Sequence, residues 1–343
     1  MLPPHRRSLR ILLVLTCVLF APGAAPWGPD GHRTVGALAD RLIAGTHAQA
    51  QVRRLLGGLT LEQAAVWADC AKGVDPARDY AYTAAGRFPE CAPFETPAGE
   101  AAMIDYVRRN DVGCVREPGS SPCHVRYHYT DVAIQRARYR LGDPGTRDSD
   151  IVAATSAAIQ VLQGRPAQGP MRIKDEREAL LLLAHFAGDI AQPLHVGVVW
   201  LGTCGEVVDP PRHGVAADMD TQGGNRIATV RVATNHRSES LHATWDDIPA
   251  ALHADRIDAA WLALARAEPG TPGAMDGWPT QWADDSLVQA RRIYTSLGLD
   301  PQRCSQWTVA LAGRDDDAMA PVKKRQLTVA GARLAHAQMA IWP

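Results

Sequence analysis

Seven stretches of the chain place apolar residues at three- and four-residue spacing, and only one alternates, so the predicted fold class is mainly α, a single helical domain. Glycine and proline punctuate between these stretches, at Gly142-Asp143-Pro144-Gly145, Gly164 to Pro170 and Pro269 to Gly277. No fixed-period repeat or domain-sized linker interrupts them. The 343 residues are 46% hydrophobic and 21% charged, which suffices for a large core and excludes a disordered or collagen-like chain.

The chain opens with an address rather than a structural element. Met1 to Arg10 carries His5, Arg6, Arg7 and Arg10 with no acid, Ile11 to Phe20 is apolar apart from Thr16, and Ala21 to Ala25 supplies small residues. That order is a secretory signal, residues 1–26, too short in its apolar part to anchor as a helix. Arg6-Arg7 is a poor twin-arginine match, so the general secretory route is expected. A periplasmic or secreted protein is therefore expected, with 27–343 as its one domain. The expected helices are Thr34 to Leu42, Glu100 to Arg109, Asp150 to Leu162, Asp175 to Ile190, Asp255 to Ala267, Ala283 to Leu297 and Gln326 to Trp342. Arg226 to Thr234 reads as a strand, with Ile227, Val230 and Val232 β-branched. Residues 71–124, rich in Cys, Pro and Gly, read as an elaborated loop region holding one helix.

Export fits the cysteines. Cys17 is lost with the signal, leaving Cys70, Cys91, Cys114, Cys123, Cys204 and Cys304. An even set in an exported protein predicts disulfides, although one pair could stay reduced and buried. Cys114 and Cys123 flank Glu117 to Pro122, a turn-rich tip that a local bridge would close, and theirs is the pairing expected.

The charge balance excludes a basic nucleic-acid clamp, since 36 Lys+Arg face 37 Asp+Glu. Bound cations could meet phosphates instead, and the histidines bear on that. His185 and Asp189 stand four apart after a run of leucines, and His242 and Asp246 repeat that spacing. On a helix each pair shares a face one turn apart. A lone pair of this kind is more often a solvated ion pair. In an apolar run, however, both groups need partners, and a metal satisfies both. His195 follows Pro193, which ends the helix and turns a third donor elsewhere. Imidazole and carboxylate donors without a thiolate motif suit catalytic zinc.

Six motifs then stand in order: Trp27-Gly-Pro-Asp-Gly-His32, Trp67-Ala-Asp69, His128-Tyr129-Thr130-Asp131, His185-Phe-Ala-Gly-Asp189-Ile-Ala-Gln-Pro-Leu-His195, Gly223-Gly224-Asn225 and Leu241-His242-Ala-Thr-Trp-Asp246. In this order they resemble the S1/P1 nucleases, exported zinc-dependent, single-strand-specific enzymes related to the bacterial zinc phospholipases C. The resemblance runs from Trp27 to the C-terminal helix, with 71–124 longer than the fungal pattern. It implies a mainly helical fold with a small β-hairpin and three zinc ions in a cleft. It implies that Asp69, His128, His185 and Asp189 hold the first ion. Asp189, His32 and the terminal amine and carbonyl of Trp27 would hold the second, and His195, His242 and Asp246 the third. Asp69 would orient or deprotonate the attacking water. Lys72 stands where the family commonly carries an arginine facing the phosphate, and supplies charge without a bidentate fork. Tyr129, Asp131 and Asn225 match positions that contact a base.

The implied activity is endonucleolytic hydrolysis of single-stranded DNA and RNA to 5′-phosphate products, with 3′-nucleotidase action on nucleotides as a possible addition. No obligatory protein partner is expected, and the chain is expected to be a monomer. The alternatives are a phospholipase C using the same zinc chemistry on lipid head groups, and a zinc protein without turnover. Gly223-Gly224-Asn225 and an aspartate rather than a glutamate at 246 favour the nuclease. Signal cleavage rules, met by Gly23 and Ala25, would leave Pro26 first. The implied amine ligand instead needs Trp27 first.

Overall fold

The computed structural model describes residues 27–115, 121–202, 204–210, 219–231, 236–297, 307–311 and 313–343. The expected signal, 1–26, and most of the turn-rich tip before Cys123 lie outside the described residues.

Twelve helices carry the described chain: α1 Pro29–Leu42, α2 His47–Leu56, α3 Leu61–Ala64, α4 Trp67–Ala71, α5 Pro97–Asp111, α6 Cys123–Arg126, α7 Ile151–Leu162, α8 Glu176–Asp189, α9 Leu241–Asp246, α10 Ala259–Arg266, α11 Trp278–Ser296 and α12 Gly313–Ile341. Their starts follow local chemistry. Thr46, Thr60, Thr96, Asp150, Asp175, Ser240 and Asp258 each accept a backbone N–H at an N-cap, and Pro29, Pro97 and Pro279 sit in first turns. The expected helices all occur, but several are longer than expected. α1 begins five residues earlier than expected because Pro29 starts it, and α11 begins at Trp278 rather than Ala283. α12 likewise starts well before Gln326 and contains Pro321. The expected helix from Asp255 shrinks to α10, since Ala254–Arg256 is a separate 3-10 turn.

The strands are short: β1 Val74–Asp75, β2 Ala81–Tyr82, β3 Val132–Ala133, β4 Gly197–Val198, β5 Trp200–Leu201, β6 Val207–Val208, β7 Ala228–Arg231, β8 His236–Ser240 and β9 Thr308–Leu311. β7 lies between antiparallel β8 and parallel β9, so the expected strand is the centre of a three-stranded sheet. β3 pairs in parallel with β4, Val132 opposite Gly197. That pairing joins the segment after His128 to the segment after His195.

The main core forms where α1, α7, α8 and α12 meet, around Leu38, Ile159, Leu180, Leu183, Phe186 and Leu334. A second cluster packs β7 and β9 on α11 through Ile227, Val309, Ile293 and Trp245. Disulfides Cys70–Cys91 and Cys114–Cys123 tie the 71–124 region down at both ends, the second as expected. Cys204 is also disulfide-bonded, and Cys304 lies outside the described residues. Among the described residues no helix is long and apolar enough to cross a membrane.

α1 approaches α3 closely at Gly36, where a Cβ would meet the Leu61 carbonyl oxygen at 2.3 Å. Backbone cannot yield as a side chain can. Gly36→Ala is expected to destabilise the protein by about 1–3 kcal/mol, read as a lower urea midpoint at unchanged slope. A midpoint equal to that of the parent would refute this close packing of α1 on α3.

Candidate metal centre

α8 is buried from Glu178 to its end because leucines 180–183 turn round the whole helix surface inside the main core. His185 and Asp189 therefore project into the interior, each 0% exposed. Gly188 between them leaves room for a neighbour: a Cβ there would lie 2.9 Å from His32 Nδ1. The Trp27 indole N–H donates to the Gly188 carbonyl at 2.8 Å, which fixes the start of α1 and brings in His32.

Asp189 is the hub. Its Oδ2 lies 2.9 Å from both His185 Nε2 and His128 Nδ1, and its Oδ1 lies 3.2 Å from His32 Nε2. His128 Nδ1 and His185 Nε2 are themselves 2.9 Å apart. Asp69 from α4 completes this side, its Oδ1 3.6 Å from His185 and 3.8 Å from His128. On the other side His195 Nε2 and His242 Nε2 stand 3.0 Å apart, and Asp246 Oδ2 is 3.4 Å from His242. His195 Nδ1 lies 3.9 Å from Asp189 Oδ1, so the two sides adjoin. Three sets of donors thus converge tightly enough for one ion each: His32, His185 and Asp189; Asp69, His128 and His185; and His195, His242 and Asp246.

The chemistry of the donors fits cations. His185 Nδ1 donates to the Ala65 carbonyl at 2.6 Å, His195 Nδ1 to the His128 carbonyl at 2.8 Å, and His242 Nδ1 to the Gly223 carbonyl at 2.8 Å. Each carbonyl commits one ring nitrogen as donor, so the opposite Nε2 presents a lone pair. Two such lone pairs at 3.0 Å repel unless a cation lies between them, as at His195 and His242. Electrostatics agrees. Burial alone would raise the Asp189 pKa, but the histidines around it, His185 first and then His32 and His128, hold it well below the usual range. Burial likewise opposes ionisation of Asp69, and Lys72, then His185, outweigh it downward. Burial holds His128 far below the ordinary imidazole value and lowers His32 and His242 as well. At His185 and His195 it is overcome, by Asp189 and Asp69 for the first and by Asp246 and Asp189 for the second.

Asp69 and Lys72 mark the open edge. Their side chains are 16% and 21% exposed, and Lys72 Nζ sits 2.6 Å from Asp69 Oδ1. Tyr129 and Asp131 follow His128 and are half-buried, with burial pushing the Tyr129 phenol up to about 12 and raising Asp131 well above its usual value beside Asp220. Asn225 is exposed and its amide donates to the Gln222 carbonyl at 2.9 Å.

The sequence reading does not reach Gln192 and Lys323 as orienting groups, and it reads Gly223 only as part of a motif. Gln192, wholly buried, donates to Asp246 Oδ1 at 2.7 Å and accepts from Leu194 N at 2.5 Å. The only sequence signal was its place between Asp189 and His195. Gly223, at φ +59°, holds the carbonyl that orients His242, and a Cβ there would meet the Leu194 carbonyl oxygen at 2.3 Å. Lys323 on α12 donates to the carbonyls of Thr244 (2.7 Å) and Asp247 at the end of α9, the helix that carries His242 and Asp246. Gln192→Met should keep the volume but leave Asp246 without its donor. It is expected to weaken metal binding at the His195, His242 and Asp246 set roughly 10- to 100-fold in chelator competition. Affinity unchanged at every set would remove Gln192 from the metal centre.

No curated protein matches the chain in sequence. A family model described as S1/P1 nuclease matches residues 27–341, a span that contains all eight converging residues from His32 to Asp246. Nearly the whole described chain lies within that match, and the chain belongs to the S1/P1 nuclease family, a family of zinc-dependent hydrolases acting on nucleic acid.

Proposed function

We propose that this chain is an exported zinc-dependent endonuclease that hydrolyses single-stranded DNA and RNA to 5′-phosphate products and also acts as a 3′-nucleotidase. The observation that carries this reading is the interlocked set of buried imidazoles and carboxylates, opened to solvent at Asp69 and Lys72. Residues 1–26 are the signal, and 27–343 form one nuclease domain. Disulfide bonds support export.

In this reading Asp69, His128, His185 and Asp189 hold one zinc ion. Asp189, His32 and the Trp27 amine and carbonyl hold a second, and His195, His242 and Asp246 a third. Zinc, when bound, makes water nucleophilic near neutral pH and screens charge on phosphate oxygens. The residues do the rest. Asp69 holds the attacking water and takes its proton at a carboxylate oxygen facing the opening. Lys72 presents its ammonium to a non-bridging phosphate oxygen, as a point charge. Tyr129 stacks a base, and Asp131 and Asn225 hydrogen-bond its edge. A base must leave its duplex stack to do this, which accounts for a single-strand preference. The zero exposure of His32, His185 and Asp189 keeps bulk water from competing for the donors.

Purified protein assayed on single-stranded DNA, RNA and a phosphatidylcholine emulsion should cleave the first two. Lipid hydrolysis without nucleic-acid cleavage would replace this reading with a phospholipase C. Elemental analysis should find three zinc ions per active chain, and one or none would sink the assignment. Lys72→Ala should lower turnover on the order of 10²-fold with zinc content intact. Wild-type turnover in that variant would place Lys72 outside the site. Intact mass should show active exported protein beginning at Trp27, since an acylated nitrogen is a very poor zinc donor. Full activity and zinc content with Pro26 retained would exclude the amine ligand.

A further inference from the structure

A cavity of about 210 Å³ opens beside α6, lined by Asn110, the Cys114–Cys123 disulfide, Arg126, Arg147 and Ser149. Arg126 is only 6% exposed, a depth at which a guanidinium ordinarily rests on a carboxylate. Here its Nη2 meets the uncharged sulfurs of Cys123 at 2.6 Å and Cys114 at 3.4 Å, and its Nε is buried with no acceptor. Among the described residues no carboxylate forms an ion pair with Arg126 or Arg147, and Asp148 is the one acid on the cavity wall. Arg147 also acts on the nearby carboxyls of Asp131 and Asp220, so among the described residues the cation left without a carboxylate at the cavity is the buried Arg126.

Its place is informative. Tyr129 N donates to the Arg126 carbonyl at 3.3 Å, and Ile151 N donates to the Tyr129 carbonyl at 3.2 Å, four residues beyond Arg147. Both arginines thus flank the segment that carries Tyr129, and both act electrostatically on its phenol. A volume below the roughly 300 Å³ of ordinary ligand pockets suits a single oxyanion rather than a whole nucleotide. Guanidinium groups are the side chains best matched to phosphate oxygens.

We infer that this cavity is a subsite for a backbone phosphate of the bound strand, next to the nucleotide whose base sits on Tyr129, with Arg126 and Arg147 as its binding residues. The inference rests on the proposed seating of a base at Tyr129. It makes the enzyme favour strands over dinucleotides, because a dinucleotide spends its one phosphate at the scissile position.

The test uses full-length, zinc-loaded protein and its Arg126→Met and Arg147→Gln variants. Their kcat/KM is measured on a thymidine pentanucleotide and on the dinucleotide dTpdT. The pentanucleotide-to-dinucleotide ratio should fall about tenfold in each variant. The slope of log kcat/KM against log salt should become shallower by about 0.7 per lost contact. An unchanged ratio and slope in both variants overturns the subsite. If Arg126→Met fails to fold, Arg147→Gln, at an exposed position, decides alone. Calorimetric titration with inorganic phosphate separates the other source of the same chemistry. Phosphate heat lost in Arg147→Gln with the strand ratio intact means a free-phosphate site and overturns the strand assignment. Tyr129→Ala tests the underlying reading separately. If it leaves the preference for dTpdT over a minimal aryl phosphodiester unchanged, the base seat fails, while the salt slopes of the arginine variants still report on the cavity.

Discussion

Asp189 is charged at zero exposure, and an isolated carboxylate in that position would cost several kcal/mol or simply take a proton. Here three imidazoles, from α1, α8 and the segment before β3, converge on its two oxygens, and the surrounding fold is what brings them there. Gly188 is bare because the His32 ring occupies the space of its side chain, and Trp27 is locked over the same carbonyl. α8 can carry a charge inward because its remaining surface is leucine, alanine and phenylalanine packed into the main core. Removing the carboxylate would leave three histidines facing one another without a shared counter-charge.

The orientation of the rings depends on carbonyls from separate parts of the chain. Ala65, His128 and Gly223 each accept an imidazole N–H, and so decide which nitrogen of His185, His195 and His242 faces the interior. The short parallel pairing of β3 with β4 belongs to the same device. With Thr130 N on the His195 carbonyl at 2.8 Å, it holds the two adjoining donor sets in register. Gln192 and Lys323 perform the equivalent task for Asp246 and for α9. The small strands therefore contribute positioning rather than bulk, which explains how two-residue pairs matter in a mainly helical protein.

Much of this was legible in the chain, for reasons that differ by residue. His185 with Asp189, and His242 with Asp246, could be read because a helix turns spacing into geometry. His195 could be read because Pro193 forces the direction to change; the segment is a 3-10 turn after α8. The Cys114–Cys123 bridge was readable because a nine-residue separation around a turn leaves few other closures. His32, Asp69 and His128 came from the resemblance, since contacts between α1, α4 and the chain before β3 have no periodic signature. Gln192 and Lys323 were not legible, because a buried amide or ammonium is recognised only by the acceptor it reaches. The helix starts differ from expectation where a proline in the first turn, as in α1 and α11, stands ahead of the first apolar repeat. The sheet was under-read because β9 lies about 80 residues beyond β7, and parallel partners share no local pattern.

The near-neutral balance of the chain and its nucleic-acid chemistry are reconciled by where its charges lie. Carboxylates at 69, 189 and 246 are concentrated inside a small volume with five imidazoles, and in the proposed reading three divalent cations more than offset them. Positive potential is then a property of one opening rather than of a surface. In the proposed reading a single unstacked nucleotide brings one phosphate to the Asp69–Lys72 edge. Lys72 spends one donor on Asp69 at 2.6 Å, and in the proposed reading the remaining donors of its ammonium turn toward a phosphate oxygen.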